Sequence, residues 1–270
     1  MAFLLFDRRP RIALLRLAGL IVARAPGPLG AATLSAAGVG PLLERAFGIR
    51  RVAGVVLVVN SPGGSPVQSS LIGARIRDLA DEKKVPVIAV AEDAAASGGY
   101  WIACAADEIV ADPASIVGSI GVISAGFGFA EAIGRIGIER RIRTAGAEKS
   151  FLDPFRPETT AERERLDELL AALHAEFTAW VKARRGARLK APDTELFTGR
   201  FWTGRQALAL GLVDALGSAE SAIRERFGEK ANILRLGQRR PPLLARLLGG
   251  GAAALLHAAE ERAAWARLGL

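Results

Sequence analysis

The feature that most constrains this chain is the recurrence of short, wholly apolar runs separated by amphipathic segments. Val52 to Val59 (Val-Ala-Gly-Val-Val-Leu-Val-Val) has no polar residue at alternate positions, so a strand built from it must be covered on both faces. It ends in Asn60-Ser61-Pro62-Gly63-Gly64-Ser65, a strong turn signal. Gln68 to Lys83 then puts Leu71, Ile72, Ile76 and Leu79 on one side of a helix. Val85 to Ala91 is a second apolar strand, and Glu108 to Ala111 a short third one. Doubly buried strands alternating with helices form a parallel sheet with right-handed crossovers, an α/β fold. In such sheets, sites gather where loops leave the carboxyl ends of the strands.

Two loops leave that edge. One is the Gly63-Gly64 turn. The other is Ala94-Ala95-Ala96-Ser97-Gly98-Gly99, which leads into a helix over Tyr100 to Ala106. Ser97 therefore sits at a strand-to-helix junction, with an exposed hydroxyl and the positive end of a helix dipole. The glycines after it allow a carbonyl to approach the backbone closely. The same residue would serve equally as a plain helix N-cap.

A serine nucleophile needs a base. Only His174 and His257 are present, the first beside the apolar stripe of a long helix and the second near the C-terminus. A Ser-His-Asp triad is therefore disfavoured. Lysine is rare, with six against 30 arginines, and Lys149 alone lies in a loop after a core segment rather than at a helix end. A lysine acts as a base only when desolvation brings its pKa towards neutrality. A solvated surface charge is the simpler use of such a residue. Glu92 and Asp93 are a further carboxylate pair just before Ser97. Cys104, the single cysteine, reads as a small core residue and leaves no disulfide or cysteine metal site.

A helix over Phe129 to Ile136 and a strand over Ile138 to Arg143 are expected next. Thr159 and Glu162 form a capping box for a long helix striped with Leu166, Leu169, Leu173, Phe177 and Trp180. Upstream, Ile12 to Val22 reads as the first core strand, and Ala25 to Leu43 as a loop running into a short helix at Leu42 to Phe47. No run is long enough to span a bilayer. A cleaved signal is the weaker reading of the N-terminus, because Arg16 interrupts its apolar region. Net charge is +8, but the basic residues are scattered and no nucleic-acid motif accompanies them, so no nucleic-acid partner is expected, and contact with an anionic membrane surface is at least as compatible with this charge. Residues 237–270 are basic and rich in leucine and alanine. They read as an appended amphipathic tail beyond a domain over residues 1–236.

Four motifs in order resemble those of the signal peptide peptidase A family: Asn60-Ser61-Pro62-Gly63-Gly64, Ala96-Ser97-Gly98-Gly99-Tyr100, Gly118-Ser119-Ile120-Gly121-Val122 and Gly146-Ala147-Glu148-Lys149-Ser150. Phe197-Thr198-Gly199-Arg200 and the segment Ala207 to Asp214 resemble that family's closing portion. The resemblance implies the ClpP/crotonase fold with Ser97 as nucleophile and Lys149 as general base. It implies the Gly64 and Gly98 amides as oxyanion hole, with Ser119 orienting the lysine. It further implies a homo-oligomer acting on short apolar peptides such as remnant signal peptides, without metal or other cofactor. Many members of that family carry an N-terminal membrane anchor; none is evident in this sequence, so the expected location is the cytoplasm or the periphery of a membrane. Alternative readings are a crotonase-type acyl-CoA enzyme resting on carboxylates and a non-catalytic membrane-surface scaffold.

Overall fold

The structure is a computed structural model and describes residues 9–23, 33–146, 148–237, 259 and 261–270. Its contacts divide into two compact units, Met1–Gly121 with Phe177–Leu270, and Val122–Glu176.

The first unit is built on a sheet. β1 (Arg11–Ala18) stops at Gly19, whose φ of 99° turns the chain into β2 (Leu20–Ile21). The expected single strand over Ile12 to Val22 is thus two, because a glycine in this conformation breaks strand geometry. β2 pairs in parallel with β3 (Thr33–Leu34). α1 (Ala36–Phe47) follows and starts six residues earlier than the sequence suggests. Ser35 caps it by accepting the Gly38 N–H at 3.2 Å, and burial of Val39, Leu42, Leu43 and Phe47 outweighs the bond that Pro41 cannot make.

Next come β4 (Val52–Ser61), α2 (Pro66–Lys83), β5 (Val87–Ala96), α3 (Gly98–Ala103), β6 (Glu108–Ala111) and β7 (Ile116–Gly118). Leu71 is half exposed, so the inward stripe of α2 is Ile72, Ile76 and Leu79. Of α5 (Thr160–Arg185), whose first part belongs to the second unit along with α4 (Ala130–Arg135), the residues from Phe177 onward lie in this unit. α6 (Asp193–Leu196), β8 (Phe201–Thr203), α7 (Gly204–Leu210), β9 (Ala215–Leu216), α8 (Ala219–Phe227) and β10 (Asn232–Leu236) complete it. The strands run β10-β1-β4-β5-β6-β9, all parallel. The lower half of β5 pairs with β6 and its upper half, Ala94 to Ala96, with β7, to which β8 adds antiparallel.

Core packing follows the two-sided pattern of the strands. Val55, Leu57, Val59, Val87 and Ala89 face a large core that includes residues of α1, α2 and α3, while Val56, Val58, Ile88 and Val90 pack against Ala222 and Ile223 of α8. A third cluster joins Ala94 and Ala96 of β5 to Leu268, with Ile116 and Trp265 beside them. The end of the tail therefore docks on this chain's own sheet. The leucine series at 243–248 and at 255–256 lies outside the described residues.

The second unit departs further from expectation. α4 forms where a helix was expected, and Thr159 and Glu162 make the anticipated capping box, with each backbone N–H held by the other's side chain at 3.0 and 3.3 Å. Ile138 to Arg143 forms no strand. Ile138 is 55% exposed and the segment has no ladder partner among the described residues, so its β-branched residues have no pleated surface to pack on. Within the expected stripe of α5, Leu169 is exposed and only Phe177 is fully buried, and Val181, outside that stripe, is buried as well. Among the described residues no helix is long and apolar enough to cross a membrane.

Candidate active site

β5 ends at Ala96 and α3 begins at Gly98, which leaves Ser97 alone in the bend. Its backbone has φ 52° and ψ −122°, a region that a residue with a side chain seldom occupies. The conformation is held from both ends. Ser97 N–H donates to Gly118 O at 2.7 Å, and Ser97 O accepts from Trp101 N–H at 3.0 Å. Gly98 and Gly99 make the bend possible. A Cβ on Gly98 would lie 2.3 Å from Ser69 Oγ, and one on Gly99 would lie 2.6 Å from Ser61 O. The first turn of α3 thus rests directly on α2 and on the end of β4, where only glycine fits. The hydroxyl of Ser97 makes no capping bond. Of the two uses that the sequence allows it, N-cap and free hydroxyl, the geometry shows the second.

The Gly63-Gly64 turn lies against this bend. A Cβ on Gly63, which has φ 105°, would be 2.7 Å from Ser97 Cβ, 2.9 Å from Gly98 N and 3.0 Å from Ser97 Oγ. β2 holds the turn from outside, with Ile21 N–H donating to Gly63 O and Ser65 N–H donating to Ile21 O, both at 2.8 Å. A Cβ on Gly64 would meet Ile21 O at 2.0 Å, and its φ of 140° is itself a glycine conformation. Neither Gly64 N–H nor Gly98 N–H has an acceptor among the described residues. Two unused backbone donors in the segments that meet at this hydroxyl can stabilise the oxyanion that develops on a carbonyl it attacks. Ser119 follows the Gly118 carbonyl that pins Ser97. It is half-buried, has φ 53°, and its N–H donates to Arg200 O at 2.8 Å.

Lys149 belongs to the second unit. It stands in a turn closed by its own N–H donating to Gly146 O at 3.2 Å, and its side chain is exposed. Around it, Glu148 pairs with Arg165, whose guanidinium lies over the Phe151 ring at 5.6 Å. The second unit alone therefore does not desolvate this lysine.

The remaining candidates have structural uses. Glu92 pairs with Arg16 at 2.6 Å, and Asp93 accepts from Asn60 Nδ2 at the same distance, so both carboxylates are already engaged. Cys104 is buried, which pushes its thiol up to about 12 and keeps it inert. His174 is half-buried on α5 and His257 lies outside the described residues. Among the described residues no cluster of His, Cys, Asp and Glu could hold a metal ion. Two supporting residues were not singled out by reading the sequence: Asn60, whose Oδ1 accepts the Ala94 N–H at 3.1 Å, and Ser61 beside it. Their only signal is their place before Pro62-Gly63-Gly64.

This chain belongs to peptidase family S49, whose model matches residues 79–232 and so takes in Ser97, Ser119 and Lys149 while leaving Gly64 outside. It is similar to the serine protease SPPA of Arabidopsis thaliana chloroplasts, with 34% identity over 235 residues, covering 83% of this chain and 33% of that protein. A Methanocaldococcus jannaschii protein bearing a protease name shares 36% identity over 174 residues, 64% of this chain and 55% of its own length. A Brucella abortus protein named as the Na+/H+ antiporter NhaA is 48% identical over 254 residues, covering 88% of this chain but 34% of that one. The chain thus spans about a third to a half of the length of these relatives. The transporter name is not carried over, since the match covers only 34% of that protein.

Proposed function

We propose that this chain is a serine endopeptidase of the signal peptide peptidase A type, built on a ClpP/crotonase-like fold. Its catalytic domain extends over residues 1–236, with residues 237–270 appended. The observation that carries this reading is the hydroxyl of Ser97, held on a strained backbone and making no capping bond, together with two N–H groups, Gly64 and Gly98, that have no acceptor among the described residues. In the proposed reaction Lys149 Nζ takes the Ser97 proton as Oγ attacks a peptide carbonyl. The resulting oxyanion accepts hydrogen bonds from Gly64 and Gly98. Collapse expels the amine, which receives the proton from Lys149, and leaves an acyl ester on Ser97. Lys149 then deprotonates a water that hydrolyses the ester and restores Ser97. Ser119 orients the lysine throughout.

An exposed lysine is a poor base, so the scheme requires cover over Lys149. Self-association supplies it in this proposal. Ile123, Phe127 and Ile136 of the second unit are 69%, 81% and 71% exposed, an apolar surface of the kind that oligomers bury. Substrates are short apolar peptides such as remnant signal peptides, reached in solution or at a membrane surface. No nucleic acid or cofactor enters the scheme.

The test is labelling by a fluorophosphonate probe together with digestion of a peptide library. Ser97→Ala and Lys149→Ala should each lower turnover about 10³-fold or more, and the double variant should be little worse, because the pair acts as a unit. Full additivity, or retained activity in Lys149→Ala, would overturn the dyad.

A further inference from the structure

Ser61, the last residue of β4, is completely buried, and no step of the proposed reaction uses it. Its hydroxyl donates to Gly19 O at 2.7 Å and accepts from Gly63 N–H at 3.2 Å. Gly19 is the break between β1 and β2, and its own N–H donates to Asn60 O at 2.9 Å. One buried hydroxyl therefore ties the β1–β2 break to the Gly63-Gly64 turn. The backbone of the same residue carries the nucleophile helix, since Gly99 lies so close to Ser61 that a Cβ there would be 2.6 Å from its carbonyl oxygen and 3.2 Å from its Cβ. The sheet is irregular at this point: Val59 pairs with Ala91, but Ser61 pairs with Ala95.

From this geometry we infer that Ser61 is the positioning residue of the oxyanion turn. Two adjacent N–H groups, those of Gly63 and Gly64, lie in that turn, and only Gly64 N–H is without an acceptor among the described residues. Ser61 Oγ engages the first, Gly63, and Ile21 holds the carbonyl that follows it, so the peptide plane presenting Gly64 N–H is fixed before substrate arrives. Donors fixed in advance are what make an oxyanion hole effective. Without the hydroxyl, Gly63 N–H and Gly19 O both lose a buried partner, and the turn must shift to satisfy them. The inference rests on reading Gly64 and Gly98 as the oxyanion hole.

The experiment uses the full chain and an internally quenched peptide rich in leucine and alanine. A peptide aldehyde, which forms a tetrahedral adduct with a serine nucleophile, serves as the probe of the oxyanion hole. Losing one oxyanion donor outright costs about 10²- to 10³-fold in kcat, so misaiming one should cost about ten- to a hundredfold. Ser61→Ala should therefore lower kcat by that factor and weaken aldehyde inhibition in parallel, with KM within about twofold of wild type. Ser61→Cys, which keeps a weak donor and acceptor, should fall between the two. Unchanged kcat and aldehyde affinity, with a shift in Tm alone, would assign Ser61 a purely structural role and overturn the inference, as would a rise in KM with kcat intact. If Ser61→Ala does not fold, Ser61→Cys decides by the same two readouts. Failure of the peptidase reading itself looks different: wild type would show no Ser97-dependent hydrolysis and no aldehyde inhibition, and the inference would fall with it.

Discussion

At the scale of single residues, the site combines a strained backbone with an unused side chain. Ser97 occupies a conformation that costs a residue with a Cβ about 1–3 kcal/mol, and its hydroxyl returns no capping bond to the helix it precedes. Glycine would relieve that strain and lose no capping bond, though it would loosen the unfolded chain by about 0.5–1 kcal/mol. Ser97→Gly should therefore be at least as stable as wild type in urea unfolding while losing all probe labelling. A loss of stability above about 1 kcal/mol would show that the serine is structural after all. A structural serine would be expected to behave like Ser35, whose capping oxygen is typically worth about 1 kcal/mol.

At the scale of elements, the end of α5 is fastened to the segment after α7 by one buried ion pair. Arg185, 2% exposed, donates to both carboxylate oxygens of Asp214 at 2.8 and 2.9 Å and to Gly211 O at 2.8 and 3.1 Å. Burial by itself would raise the Asp214 carboxyl, but the Arg185 hydrogen bonds and the Ile109 N–H outweigh it and hold the group below its ordinary value. A depressed carboxylate stabilises the fold above its unfolded pKa, near 4, and that contribution is lost as pH falls through the lower folded value. Asp214→Asn should therefore destabilise the protein at neutral pH by about 3 kcal/mol, chiefly by leaving Arg185 buried without its counter-charge. The variant should also flatten the loss of stability below about pH 4. Chemical unfolding at pH 7 and pH 3 checks both; an equal penalty at the two values would refute the linkage. α3 shares this anchor, because Tyr100 OH donates to Leu212 O at 2.7 Å.

At the scale of the whole molecule, the last described residues have a use that their composition does not announce. Leu268 is 8% exposed and covers Ala94 and Ala96, the β5 residues that lead into Ser97. Three uses suit such a segment when it is read as a tail: a neighbouring subunit, a membrane surface, or no docking at all. Packing on its own sheet is a fourth. Removing residues 259–270 should lower Tm by several degrees, and Leu268→Ala alone should cost about 2 kcal/mol, near the low end for a buried leucine. Unchanged melting in both would mean that the segment contributes nothing to the fold.

Much of this protein was determined locally. The doubly apolar runs at Val52 and Val87 dictated buried parallel strands, and Pro62-Gly63-Gly64 and Ser97-Gly98-Gly99 dictated turns at their ends, because neighbours along the chain decide these outcomes. The capping box of Thr159 and Glu162 was legible for the same reason. Other features depended on residues far apart in sequence. Whether Ile138 to Arg143 became a strand rested on a partner with free N–H and C=O groups, and none was in place among the described residues. β10 formed because β1 offered its edge to Asn232 through Leu236, across more than 200 residues. The freedom of the Ser97 hydroxyl was likewise beyond local reading: a serine before a helix caps it by default. It was the Gly118 carbonyl, brought alongside by the pairing of β5 with β7, that fixed the backbone at an angle from which Ser97 Oγ makes no cap.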